Sequence, residues 1–192
     1  MEPMTVRVEI YPLAADEGGL WSLGGLRTVT PELVVMADSE PHAEVELAMA
    51  RFGLTTDDVV ALHSTSWRAE GTSVVLTYMA VVNLDRPARE RFPQALPVTL
   101  EASGKAGKPI PHHPAEAPTP RYIDVLLHGI RHLHWLIEHD APFAAVLNDH
   151  WRRALAPLKD LLAGLYSDPY EDLDPVNDRV ANIVAPNRQV AA

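Results

Sequence analysis

The sequence predicts an α+β protein in which a mixed sheet with a helix is followed by a pair of amphipathic helices. Apolar residues alternate with polar ones over residues 5–11, which is the period of a strand with one buried face. They recur at helical spacing over residues 41–52, and again over 121–139 and 142–166. Strands and helices therefore both contribute to the fold.

The amino-acid composition alone excludes several classes of function. A chain of 192 residues with 47% hydrophobic residues can bury a sizeable core without disulfides or metal. The absence of cysteine excludes thiol catalysis and cysteine-ligated zinc, so any metal would need histidine and carboxylate ligands. The net charge of −10 opposes contact with nucleic acid. With no long apolar run for a membrane span, and with arginine preferred to lysine, we expect a bacterial cytoplasmic protein.

Residues 1–82 are predicted to form one α+β unit. Its helix is well delimited, because Asp38 or Ser39 can cap the first turn and Gly53 permits the backbone conformation that ends a helix. The two strands after this helix are separated by a short segment that suits a hairpin. In order, the predicted elements are a strand at 5–11, short apolar segments at 20–23 and 33–36, a helix at 41–52, and strands at 57–67 and 72–82.

A stretch rich in proline, residues 83–120, follows this unit. Proline donates no backbone hydrogen bond, so we predict a linker or surface crossover here, with a short edge strand at 98–100. The stretch separates the α+β unit from a region of helical character.

Two amphipathic helices, at 121–139 and 142–166, form the predicted helical region. Each has an apolar face, so we expect the pair to pack back on the α+β unit. Pro157 is expected to kink or divide the second helix, because a proline inside a helix removes one backbone hydrogen bond. Residues 167–192 are acidic, contain prolines and show no periodicity, which predicts a tail.

Two short segments of the first unit follow a known pattern. The run Trp21-Ser22-Leu23-Gly24-Gly25 is similar to the Trp-x-Leu-Pro-Gly-Gly strand end of the Nudix family, and residues 50–54 lie where the Nudix helix ends in Glu-Glu-x-Gly-apolar. Over residues 5–82 the chain therefore resembles the Nudix family. The resemblance implies a Nudix-like fold and, for a catalytic member, hydrolysis of nucleoside diphosphate derivatives by a divalent metal held on helix carboxylates.

The chain departs from the Nudix pattern at the residues that would bind metal. Ala50 and Arg51 occupy the positions of the two metal-binding glutamates. The remaining acids do not replace them, since Glu40 and Glu44 share a face from which Glu46 points away. We therefore expect no magnesium-dependent hydrolysis, and the resemblance favours a module that binds without cleaving.

The helix at 121–139 carries a polar arc opposite its apolar face, and this arc holds most of the candidate site residues. Asp124, His128 and His132 follow one another at i, i+4 spacing, which stacks one carboxylate and two imidazoles as a divalent metal would require. A solvated helix face is the alternative interpretation. Arg131, Trp135 and His139 complete the arc.

Trp135 favours a covered arc over a solvated one, because a large aromatic ring more often fills a cleft or an interface than faces water. We therefore predict that the arc faces the α+β unit across a polar groove, or a second subunit in a homodimer. His112 and His113 precede the helix and could add metal ligands.

A second candidate lies on the strand before the hairpin. Arg68 could bind a small anionic ligand, and the alternative is an ordinary surface arginine at a strand end. Strand alternation predicts one face with His63, Thr65 and Trp67 and an opposite face with Ser64, Ser66 and Arg68.

Three functions are compatible with these observations. The favoured one is a non-hydrolytic Nudix-like ligand-binding or interaction module, with no catalytic residue assigned. The second is an enzyme that uses the polar arc, either with a divalent metal or with histidine as acid and base. The third is a divergent Nudix pyrophosphohydrolase with displaced carboxylates.

Overall fold

The computed structural model describes residues 5–29, 41–70, 72–99 and 122–158. These residues form an α+β fold, as predicted: one five-stranded mixed sheet carries helices on both faces. The strands are β1 (Thr5–Asp16), β2 (Gly19–Ser22), β3 (Val59–Glu70), β4 (Ser73–Val82) and β5 (Leu96–Val98). The helices are α1 (Pro41–Phe52), α2 (Ala88–Arg91), α3 (Tyr122–His139), α4 (Ala141–Val146) and α5 (Asp149–Leu155), followed by a 3-10 turn at Ala156–Leu158.

The strands lie in the order β3-β4-β1-β2-β5 across the sheet, so β3 and β5 form its two edges. β1 runs parallel to β4, whereas the other neighbouring pairs are antiparallel. β5 begins two residues before the edge strand predicted at 98–100. This edge position tolerates Pro97, which donates no hydrogen bond to a neighbouring strand.

Alternating side chains of the central strand β1 divide the core between the two faces of the sheet. Val8 and Ile10 pack on one face with Val45 and Met49 of α1. On the other face β1 packs against α3 and α5, through the buried side chains Leu13, Leu126, Ile130 and Trp151. The fold therefore has an α1-side core and an α3-side core.

α1 begins and ends at the residues predicted from the sequence. Gly53 has a φ of 96°, a left-handed conformation that glycine adopts without a steric cost, and it ends the helix. Strands are found where they were expected, although β1 continues to Asp16 and β3 to Glu70. The apolar segment at 33–36 lies outside the described residues.

Residues 83–99 contain regular structure, so within this range the linker is the wrong one of the two predicted alternatives, and the surface crossover stays a prediction. They contain α2 and β5, and the side chain of Phe92 is buried in the α1-side core. Their prolines fall at positions that need no backbone donor, since Pro87 precedes α2 and Pro97 lies in an edge strand. The rest of the predicted crossover and the predicted tail lie outside the described residues, at 100–120 and 167–192.

α3 coincides, within one residue, with the first helix of the predicted pair. The second predicted helix, 142–166, is instead divided into α4 and α5 at Leu147, and Pro157 falls in the 3-10 turn after α5. The division occurs there because Asn148 caps α5, its side chain accepting hydrogen bonds from two backbone N–H groups of the first turn. None of the helices in the described ranges is long and apolar enough to cross a membrane.

Gly129 determines how closely α3 approaches the sheet. A Cβ at this position would collide with the side chain of Met79 on β4, which is fully buried. The glycine therefore lets α3 lie close to β4 and brings its polar arc to the neighbouring edge strand β3.

Candidate functional site

Three histidines meet where α3 lies against β3. The imidazole centroids of His63 on β3 and His132 on α3 are 6.0 Å apart, and those of His128 and His132 are 4.7 Å apart. A groove of about 390 Å³ opens beside them, and we call it the α3–β3 groove. Its lining residues are His63, Arg131, His132, Trp135 and Leu136.

The helical periodicity of α3 and the strand alternation of β3 bring these side chains together. The arc residues of α3 lie three and four positions apart, so they share one face of the helix. His63 pairs with Met79 across β3 and β4, and Met79 belongs to the α3-side core, so His63 points toward α3. The arc therefore meets the α+β unit at β3, which is one of the two arrangements that the sequence predicted.

Burial makes the three imidazoles harder to protonate. It lowers the pKa of His63, His128 and His132 below the usual 6.5, and the Arg131 guanidinium lowers the pKa of the last two further. The neutral forms are therefore favoured near pH 7, and each neutral imidazole has one N–H donor and one nitrogen acceptor. The buried Nδ1 of His128 finds no hydrogen-bond partner among the described residues.

We expect the protein to lose stability as the pH falls below about 6.5, because the unfolded chain then binds more protons than the folded chain. The loss should level off once the pH lies below the folded pKa values. Thermal unfolding measured from about pH 7.5 to about pH 5 should show this, with a weaker dependence in the double variant His63→Asn/His132→Asn. His42→Asn, at a more exposed histidine on α1, is the control. An equal pH dependence in the double variant and the wild type would contradict the interpretation.

The structure covers the predicted arc unevenly, because α3 is buried along its first half and exposed toward its end. Trp135 is 56% exposed, and its indole stacks on the ring of His139 with centroids 4.7 Å apart. Trp135 therefore flanks the groove and is not covered by the described residues, so the predicted cover by the same chain is wrong for this ring, whereas cover by a second subunit stays a prediction. Asp124 is the opposite case and is buried at the start of α3.

No group of three or more histidine, aspartate or glutamate side chains within the described ranges is arranged to hold a metal ion. Asp124 is buried at the start of α3, whereas His128 and His132 contact β3. The predicted metal ligands Asp124, His128 and His132 are therefore not gathered into one site. The upstream histidines at 112–113 lie outside the described residues.

A β-bulge at Thr65 changes which side chains of β3 face α3. The extra residue resets the alternation, so His63 and Arg68 both point to the α3 side of the sheet. Trp67 points to the α1 side, where it is 69% exposed. The predicted alternation, with His63 and Trp67 on one face and Arg68 on the other, is therefore wrong.

Arg68 is engaged by two carboxylates of the protein, so it is not the free anion-binding group that the sequence suggested. Two of its nitrogens donate to Glu9, one of them at 2.9 Å, and its Nε donates to Glu70 at 2.7 Å. The Thr77 hydroxyl donates to Glu9 at 2.7 Å. These contacts raise the pKa of Arg68, and the guanidinium stays charged beside a buried Glu9.

Sequence reasoning missed a group of buried polar residues under the start of α3. The hydroxyls of Tyr122 on α3 and Ser22 on β2 share a hydrogen bond of 2.6 Å, and the rings of Tyr11 and Tyr122 lie 4.9 Å apart. Burial raises the pKa of both phenols, that of Tyr122 to about 12, so both stay protonated. The Glu9 carboxylate also raises the pKa of both phenols, and Thr77, the hydroxyl within the apolar run of β4 that donates to Glu9, was the sequence signal for this buried polar region.

Comparison of the chain with protein-family models, with curated proteins and with solved structures gives no match. The resemblance to the Nudix family thus stays a sequence-based prediction.

Proposed function

We propose that the protein binds a small ligand in the α3–β3 groove and does not hydrolyse it. The observation that carries this proposal is the convergence of an exposed tryptophan, an arginine and two histidines on one groove of about 390 Å³. Ligand pockets commonly measure about 300–1,000 Å³ and combine apolar walls with a few polar groups that fix the ligand's orientation. The exposed ring of Trp135 is available to pack against such a ligand.

Each lining residue would make a different kind of contact with the ligand. Trp135 and Leu136 supply apolar surface at one side of the groove. His63 and His132, in their neutral forms, each offer a donor and an acceptor to a polar ligand group. Arg131 supplies a positive charge.

The non-hydrolytic part of the proposal rests on α1. Ala50 and Arg51 stand where the Nudix family has its metal-binding glutamates, and both are exposed in the last turn of α1. Neither offers the carboxylate oxygen that a divalent metal would need at these positions. A Nudix-like fold would then serve as a scaffold that binds without cleaving.

The facing imidazoles favour a second candidate function, an enzyme that uses histidine as acid and base. His63 and His132 come from different elements and line the same groove. A neutral imidazole near pH 7 can accept a proton from a bound substrate. The two functions differ in one observable, because an enzyme converts its ligand and a binding module releases it unchanged.

A fragment screen by ligand-observed NMR, run on the wild type and two tryptophan variants, tests the proposal. Trp135→Leu removes the ring beside the groove, and Trp67→Leu removes the other highly exposed tryptophan, on the α1 side of the sheet. We expect fragments that bind the wild type to keep their affinity for Trp67→Leu and to lose about tenfold or more for Trp135→Leu. Recovery of each fragment after incubation separates binding from turnover.

Equal affinities for the two variants would contradict the proposal, as would a screen without binders. Light scattering on the same samples tests the predicted homodimer. A dimer that dissociates in Trp135→Leu but not in Trp67→Leu would assign the groove to a second copy of the chain.

A further inference from the structure

The α3–β3 groove carries positive charge in an acidic protein. The net charge of the chain is −10, yet the described residues that line the groove include Arg131 and neither aspartate nor glutamate. A ligand that enters the groove therefore meets a cation and, among the lining residues that the structure describes, no carboxylate. Such a local reversal of the overall charge favours an anionic ligand.

Arg131 differs from Arg91 in having no carboxylate partner among the described residues. Arg91 donates to both oxygens of Asp58, each at 2.6 Å, so its guanidinium is occupied within the protein. No hydrogen bond or ion pair engages Arg131 in the part of the chain that the structure describes. Its charge acts instead on the two neighbouring histidines of α3, which it makes harder to protonate. The guanidinium is therefore available to an anion.

The remaining walls of the groove suit a flat apolar body. Trp135 and Leu136 contribute an indole and an aliphatic side chain, and His63 contributes a neutral ring from β3. Trp135 lies one helical turn from Arg131, which is about 5–6 Å along the helix. A bicyclic aromatic ring can span that distance, so one ligand can contact both side chains.

We propose that the α3–β3 groove binds a planar aromatic carboxylate, with the carboxylate on Arg131 and the aromatic ring against Trp135. This inference rests on the proposed ligand-binding function and adds the chemical class of the ligand. A guanidinium and a carboxylate can form two parallel hydrogen bonds, which fixes the orientation of the ligand. The cavity between α1 and β3 provides a contrast, because the Glu46 carboxylate is among its lining groups and opposes an anion.

Three probes of similar shape and different charge test the assignment. They are 2-naphthoate, the neutral 2-naphthamide and the cation 2-naphthylmethylammonium, each titrated by calorimetry into the full chain at neutral pH and low salt. We expect 2-naphthoate to bind about tenfold tighter than 2-naphthamide, since charge-assisted hydrogen bonds are stronger than neutral ones. The cation should bind more weakly than the amide.

Two arginine variants locate the effect. In Arg131→Gln, 2-naphthoate should bind only as tightly as 2-naphthamide does. The affinity for 2-naphthamide should be the same as in the wild type. Arg51→Gln, at an exposed arginine on α1, is the matched control and should change neither affinity. In the wild type, 2-naphthoate should shift the indole N–H resonance of Trp135 and not that of Trp67.

Equal binding of the three probes, still dependent on Trp135, would overturn the carboxylate assignment and leave the proposed binding function standing. An equal loss in Arg51→Gln and Arg131→Gln, or shifts centred on Trp67, would also overturn it. If none of the probes bound, the carboxylate class would be wrong, and the fragment screen would decide the binding function separately.

Discussion

Replacing Trp151 with alanine should lower the free energy of unfolding by about 3–5 kcal/mol, the range typical of buried aromatic side chains. Trp151 is fully buried in the α3-side core, on a helix that contacts β1 and β2. Its Nε1 also donates a hydrogen bond to the side-chain oxygen of Asn83 at 3.1 Å. The variant therefore loses packing, gains a cavity and leaves Asn83 with one hydrogen bond fewer.

Urea denaturation of the variant and the wild type measures this loss. Trp135→Ala is the control at a largely exposed tryptophan and should change stability by no more than about 0.5 kcal/mol. Asn83→Ala removes this hydrogen bond together with the one donated to the Val146 carbonyl and the one accepted from the Asn148 amide, so its cost sets an upper limit on the hydrogen-bond share of the loss. A loss of less than about 1.5 kcal/mol in Trp151→Ala would contradict the central position given to α5 in the core.

Trp151 also illustrates which parts of the fold follow from the sequence. It recurs with Leu147 and Leu158 on one side of the predicted helix, and all three are buried. The packing of the helical region on the sheet could therefore be predicted from spacing alone. α1 was predicted to the residue because an early proline and Gly53 mark its ends. Both predictions depend on signals within a few residues of the element concerned.

Other features of the fold depend on local signals that were overlooked because a stronger pattern surrounds them. Asn148 is a good helix cap, but it lies inside a continuous apolar stripe, so residues 142–166 resembled a single helix. The prolines at 87 and 97 suggested a linker, although each occupies a position that needs no backbone donor. Asn148 and the two prolines thus each occupy a position that suits the residue type, and the chain forms regular structure around all three.

The candidate site likewise contains residues that the sequence predicts and residues that it does not. The α3 arc with Arg131 and Trp135 could be predicted from helical spacing, whereas its partner His63 depends on the register of β3 on β4. The bulge at Thr65 has no signal in the composition of the strand, yet it decides which way Arg68 points. Strand register and bulges are set by contacts between distant residues, which a single sequence does not display.

Arg68→Met should destabilise the protein by about 3 kcal/mol, since breaking a buried ion pair from one side commonly costs about 3–5 kcal/mol. The side chains of Arg68 and Glu9 are 24% and 11% exposed, so solvent replaces little of the lost interaction. Methionine keeps much of the apolar stem, and the loss therefore reports on the charge. The Glu9 carboxylate would retain the Thr77 hydroxyl without a compensating cation.

A double-mutant cycle isolates this effect in urea denaturation. Glu9→Gln removes the uncompensated charge, so the double variant Arg68→Met/Glu9→Gln should be more stable than Arg68→Met alone. Arg7→Met is the matched control, because Arg7 pairs with Glu70 at a side chain that is 53% exposed, and it should cost no more than about 1 kcal/mol. Affinity for 2-naphthoate should be the same in Arg68→Met as in the wild type at temperatures where both are folded. Additive losses in the cycle would contradict the coupling between Arg68 and Glu9. An affinity for 2-naphthoate that falls in Arg68→Met would show that this arginine serves the ligand.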